Sequence, residues 1–165
     1  MRLDQPQSPD LVKVTIDLND DVYEVETLWA ATLAAGLYRL RNVPFLAYGY
    51  SADDMLNAAH VYGRLMVSGV AQCSGHSTYR VLLPAPEGDE EFAPLWEPLA
   101  RLGCTYGCAS ARLIGIYVPP KADLYAVYAV LERGEQANQW SFEERHCGHP
   151  LRNLPVRVTP SGIRF

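Results

Sequence analysis

Lysine is nearly absent from this chain, with two against twelve arginines, and acidic side chains outnumber basic ones 19 to 14. The net charge of −5 speaks against a nucleic-acid binder, which needs a basic footprint to displace counterions. Long apolar runs are also missing. The richest, "LWAATLAAGLY", is broken by Gly36 and falls short of the roughly 20 residues a membrane span requires. The opening "MRLDQPQSPD" has no positive segment leading into an apolar one, so no secretory leader is expected. Cysteine is sparse and scattered, at Cys73, Cys104, Cys108 and Cys147. Without an export signal, reduced thiols and a cytoplasmic location are expected rather than a disulfide framework. The phosphate and dinucleotide loops GxxxxGK[ST] and GxGxxG are absent, as are HExxH, an EF-hand loop and a GxSxG elbow. No cofactor is therefore expected.

What the chain does have is clear periodicity. Apolar residues make up 48% and charged residues 20% of its 165 positions, enough for a buried core in a globular fold. After a polar tail over 1–10, the first half alternates with period two. Val12, Val14, Ile16 and Leu18 fall on one face; Val25, Thr27, Trp29, Ala31 and Leu33 share a second strand's face, which places Trp29 in the core. Tyr38 and Leu40 stand opposite Arg39 and Arg41. Pro44 puts that segment at an edge or a bulge. Five or six short strands with turn signals every 8–12 residues or so predict a small antiparallel SH3-like β-barrel over 11–77.

Past Pro84 the period becomes 3.6. Phe92, Leu95, Trp96, Leu99 and Leu102 form one helical stripe, with Pro94 and Pro98 inside it. "SARLIGIYVPP" is a nearly continuous apolar strand. Leu124, Val127, Tyr128 and Leu131 form a second helical stripe that Gly134 should stop, and "WSFEERH" adds a strand. The pattern β-α-β-α-β over 78–150 predicts a two-layer ferredoxin-like α/β unit, followed by a C-terminal extension at 151–165. The fold class is α+β.

The densest chemistry lies in "CSGHSTYR", residues 73–80. Cys73 and His76 have the spacing of half a zinc knuckle, Cys104 and Cys108 that of a looser pair, and His146, Cys147 and His149 add further ligands. Zinc needs four around one tetrahedron, and no tight pair repeats, so a metal site is not expected. Cys73 beside His76 could instead be a nucleophile and its base. In extended backbone, however, positions 73 and 76 face opposite sides. The preferred reading is a bend at Gly75 whose hydroxyls and imidazole tie neighbouring loops together. The acid pairs at 20/21, 53/54, 90/91 and 143/144 diverge on any regular element and fit solvated surface better than a catalytic dyad. Tyr48, Tyr50, Tyr62 and Tyr79 gather near predicted turns, and tyrosine beside arginine is the composition of a protein-binding hot spot.

"LWAATLAAGLYRLRNVPFLAYGYSADDML" followed by "CSGHSTYRVLL" resembles a bacterial family catalogued as domain of unknown function 4265. The motifs carrying the resemblance are Trp29, Tyr38 to Gly49 with an acid at Asp53 or Asp54, and Ser74 to Val81. A weaker likeness continues through "GCTYG", "YVPPKADL" and "RHCGHP". Gly107 stands where the pattern leads one to expect an acid. The resemblance implies no activity. The function expected is therefore a non-catalytic, cytoplasmic protein-binding module, such as an immunity protein that neutralises a co-encoded bacterial toxin. Its partner would be a protein, a basic toxin domain for example, with no nucleic acid and no membrane. Tyr48, Asp53, His76, Ser77, Tyr79 and Arg80 are the candidate binding residues. The alternative is a thiol- and histidine-dependent enzyme or zinc protein centred on Cys73 and His76.

Overall fold

The computed structural model describes residues 10–84 and 89–151. The expected tail at 1–10 and extension at 151–165 thus fall almost wholly outside the described residues. The fold is α+β, with two sheets and two helices.

The first sheet comprises β1 (Leu11–Asp17), β2 (Val25–Ala34), β3 (Leu37–Leu40), β4 (Met55–Val61) and β5 (Arg64–Gln72). Neighbours pair antiparallel in that order, and β5 returns to β1 in parallel at Thr15 and Met66, so the sheet closes on itself. The β4–β5 hairpin turns on Tyr62 and Gly63, both left-handed, the two-residue geometry that matches strand twist. Val14, Ile16, Leu28, Ala30, Leu40, Leu56, Ala58 and Leu65 fill the interior.

The inward row of β2 differs from expectation. Glu26, Leu28 and Ala30 point in, while Trp29 is half-buried with Lys13 Nζ 5.3 Å from its ring centre. Both rows of "VETLWAATLA" carry apolar residues, so alternation alone cannot choose the buried one. Glu26 decides the matter through bonds described below.

The second sheet holds β6 (Ser77–Leu82), β7 (Thr105–Cys108), β8 (Leu113–Val118) and β9 (Ser141–His146), in the order β7-β8-β6-β9, with every pair antiparallel. Helices α1 (Asp89–Arg101) and α2 (Leu124–Gln136) cover one face. There Phe92, Trp96, Leu99, Leu124, Val127 and Leu131 pack on Tyr79, Val81, Ile114, Ile116 and Val118. The chain order is thus β-α-β-β-α-β. Periodicity missed β7, because four half-buried residues show no alternation; Cys108 is its last residue.

Asp123 caps α2 by accepting from the Tyr125 and Ala126 amides. Gly134 does not stop the helix. It lies inside it, buried against the Trp140 ring. Tyr128, expected in the core stripe, is exposed and meets Phe142 edge-on at 5.4 Å.

Candidate functional site

Loop 41–54 joins β3 to β4 and lies on the face of the second sheet that the helices leave open. An added Cβ on Gly115 of β8 would lie 2.7 Å from Val43 Cγ1 and 3.1 Å from Phe45. A glycine is needed there for the loop to approach so closely. Glu26 reaches across from β2 to hold this loop. One carboxylate oxygen accepts from the Phe45 amide at 2.7 Å; the other accepts from Leu46 at 3.1 Å and Ala47 at 2.7 Å. Sequence reasoning passed over Glu26; its one signal is an acid in the row of Leu28 and Ala30.

The same loop meets "CSGHSTYR" at the junction of the two sheets. Asp54, 0% exposed, accepts from the Ser51 amide at 2.8 Å and the Ser74 amide at 2.7 Å. It is not the solvated surface acid expected at that pair. Ser51 and Thr78 hydroxyls are 2.7 Å apart, both buried. Asp53 faces outward instead, pairing with Arg41 at 3.1 Å and accepting from the Tyr117 hydroxyl at 2.7 Å. His76 stacks on Tyr117 with ring centres 4.4 Å apart, and its Nδ1 lies 2.8 Å from Ser74 Oγ, so its hydrogen-bond partner is Ser74 rather than Cys73. Cys73 itself is exposed.

Ser77 and His149 have the spacing of a nucleophile and its base: Oγ and Nδ1 are 2.7 Å apart. The surroundings assign them another role. His149 Nε2 lies 3.0 Å from the Pro119 carbonyl, which can only accept, so Nε2 carries the proton and Nδ1 accepts from Ser77. Ser77 Oγ also accepts from the Gly148 amide at 3.0 Å, and its side chain is fully buried. Nothing can reach that hydroxyl. Ser77 and His149 therefore lock the chain after β9 onto the start of β6. Tyr79, grouped by sequence with the exposed tyrosines, is 1% exposed and donates to Glu144 at 3.1 Å. Among the described residues no group of three His, Cys, Asp or Glu is placed to hold a metal.

Burial lowers the pKa of His76 below the usual 6.5, against the opposing pull of Asp53 and Asp54; His149 adds to the lowering. The neutral ring is thus favoured in the folded state. The sign follows: stability from this group is present above about pH 6.5 and is lost as pH falls. The urea midpoint should drop as pH falls below about 6.5, and His76→Phe, which keeps the stack but cannot titrate, should flatten that drop. An unchanged slope in the variant would remove His76 as its cause.

On the other side of the loop a cleft of ≈ 590 Å³ opens between the β1–β2 turn, residues 46–50, β6 and β9. Arg80 bonds Glu143 at 2.6 Å, the Tyr48 hydroxyl donates to the other Glu143 oxygen, and the Arg145 guanidinium lies 3.9 Å under the Tyr48 ring. The bond to Glu143 raises the Tyr48 pKa above 10.0, with burial adding to it. Arg145 occupies a bulge. β9 pairs His146 with Thr78 but Glu144 with Tyr79, leaving Arg145 as the extra residue. Bulges re-aim side chains in this way, and no sequence pattern announces one. Tyr48 is thus exposed at this junction, Asp53, His76 and Arg80 are half-buried, and Ser77 and Tyr79 lie inside the protein.

These features define a class: a small α+β protein whose two sheets are clamped by one loop, with a charged, tyrosine-rimmed cleft beside the clamp. The chain belongs to the domain of unknown function family DUF4265, whose model matches residues 26–142. The match begins at the loop anchor Glu26. Its fold is similar to that of a hypothetical protein from Neisseria gonorrhoeae, with a TM-score of 0.70 and 18% identity over 82% of this chain and 94% of that one. No curated protein matches it.

Proposed function

We propose that this chain is a non-catalytic, cytoplasmic protein-binding module, an immunity protein for a basic, co-encoded toxin domain. The observation that carries this reading is one exposed face. Val22 and Tyr23 of the β1–β2 turn, Tyr48 of the loop and Leu82 of β6 are 78%, 56%, 60% and 43% exposed. Tyr23 and Leu82 line a second hollow with Leu46, Leu113 and Phe142 around the Arg80–Glu143 pair. Aromatic and aliphatic anchors around an arginine are what interface centres use. Exposed Asp17, Asp20, Asp21 and Glu24 flank them, an acidic rim that steers a basic partner. The hydroxyl–imidazole pair that could do chemistry, Ser77 with His149, is buried and internally bonded, which favours binding over catalysis. In this reading the closed sheet is an SH3-like barrel and the β-α-β-β-α-β unit is ferredoxin-like. Among the described residues no helix is long and apolar enough to cross a membrane.

Tagged protein drawn through its native lysate at about 0.5 M salt, where surface charge is screened, should retain one stoichiometric basic protein. Tyr23→Arg combined with Leu82→Arg should abolish that capture. Tyr62→Arg, at the fully exposed β4–β5 turn, should leave it intact. Capture that ignores Tyr23 and Leu82, or no stoichiometric partner even at low salt, sinks the reading.

A further inference from the structure

The cleft beside the clamp is more elaborate than a docking face requires. Its floor holds two arginines around a single internal carboxylate, Glu143. Arg145 is 6% exposed, yet its Nε has no hydrogen-bond partner among the described residues, and its Nη1 stands 3.6 Å from Glu143, too far for a hydrogen bond. A buried guanidinium with an unpaired donor is costly, and this one sits on a bulge and lines a cleft. The floor therefore sets two guanidinium charges against one carboxylate, with the Tyr48 ring stacked on Arg145 and one Arg145 donor unpaired, in the planar geometry that suits a carboxylate.

The rim has the opposite sign. Asp17 accepts from the Asn19 amide at 3.0 Å, and Asp20 from the Val22 amide at 2.7 Å, each through Oδ1. Those bonds hold both carboxylates at the mouth. Among the described residues no ion pair joins either acid to Arg80 or Arg145. Between rim and floor the walls are Leu18, Val22, Leu46 and Tyr50. A simple anion would meet the acids, and a simple cation the arginines. Only a molecule with both charges and an apolar body satisfies the whole cleft, and ≈ 590 Å³ lies within the range of small-molecule sites.

We propose that the cleft between the β1–β2 turn and the β6–β9 edge binds an amino-acid-like zwitterion, a free apolar amino acid or a short peptide. Its carboxylate meets Arg145 and Arg80, and its ammonium meets Asp17 and Asp20. The cleft shares Asp17, Asp20, Val22 and Arg80 with the face of the protein-partner reading, but its test is made on the isolated chain, so the two readings fail separately.

The test is a titration of the ¹⁵N-labelled full chain, followed at the Arg145 Nε–Hε resonance. The probes are L-phenylalanine, the dipeptide leucyl-phenylalanine, 3-phenylpropionate (carboxylate alone) and phenethylamine (amine alone). At least one zwitterion should shift the resonance saturably and bind about tenfold or more tightly than either single-charge analogue, the loss of one charge-assisted contact. Asp20→Asn keeps a cap acceptor for the turn. It should weaken the zwitterion about tenfold but not weaken 3-phenylpropionate, whose carboxylate is relieved of a like charge. The proposal is overturned if no zwitterion moves the resonance up to about 10 mM, where binding is too weak to count as recognition. Equal binding of 3-phenylpropionate, or indifference to Asp20→Asn, overturns it too.

Discussion

Replacing Glu26 with alanine is expected to lower the unfolding free energy by about 3 kcal/mol or more, since hydrogen bonds to a charged group contribute about 1.5–3 kcal/mol each. The carboxylate is 8% exposed and accepts from three consecutive amides, those of Phe45, Leu46 and Ala47. Removing it leaves three donors without their acceptor in a place water barely reaches. Glu26→Gln should cost less than alanine but still destabilise, because the amide nitrogen must face an N–H. The effect should also be local. Amides 45–47 should lose hydrogen-exchange protection, since their bonds tie loop 41–54 to β2. Chemical denaturation of the three proteins, with exchange measured at those amides, checks both parts. A stability loss of under about 1 kcal/mol, the range of a surface change, would show that Val43 and Phe45 packing holds the loop unaided.

The second large effect is a reversal of sign. Glycine to alanine within a helix ordinarily stabilises by about 0.5–1 kcal/mol. At Gly134 of α2 the same change is expected to destabilise by about 1–3 kcal/mol, the usual range for overpacking a core. A Cβ built there lies 2.1 Å from Trp140 Cζ2. The indole cannot simply turn away. It is 5% exposed, packs edge-on to Phe92, and donates Nε1 to the Leu131 carbonyl at 2.9 Å. Gly134→Ala should therefore lower the thermal midpoint and perturb Trp140 fluorescence together. Ala129→Gly, on the same helix, provides a comparison in which only backbone entropy changes. A stabilised Gly134→Ala protein would mean that the ring yields at no cost.

Trp140 also shows how the sequence misleads about where a helix ends. Gly134 looks like a terminator because glycine favours positions past the last turn. Here the helix runs on to Gln136, and the glycine is required by a ring six residues further along. Local pattern cannot distinguish a glycine that ends a helix from one that admits a neighbour. Tyr128 was misplaced for a related reason: it falls one position beyond Val127 on the buried arc, and only the packing of β9 against α2 leaves it outside.

By itself the sequence determined the α+β class, the switch from period two to period 3.6, and the identity of most strands and both helices. Each follows from side-chain alternation, which is local in the chain. It also determined that "CSGHSTYR" bends at Gly75, whose φ is +84°, and that its hydroxyls tie loops together. The tertiary structure alone decided three things. It chose the inward row of β2, because Glu26 had a loop to hold. It brought Ser77 to His149, 72 positions away, and sealed the pair from solvent. It also set Arg145 on a bulge at the floor of the cleft, across from the acids of the β1–β2 turn. All three depend on contacts between residues far apart in the chain, and no periodicity within a segment records what will lie opposite it.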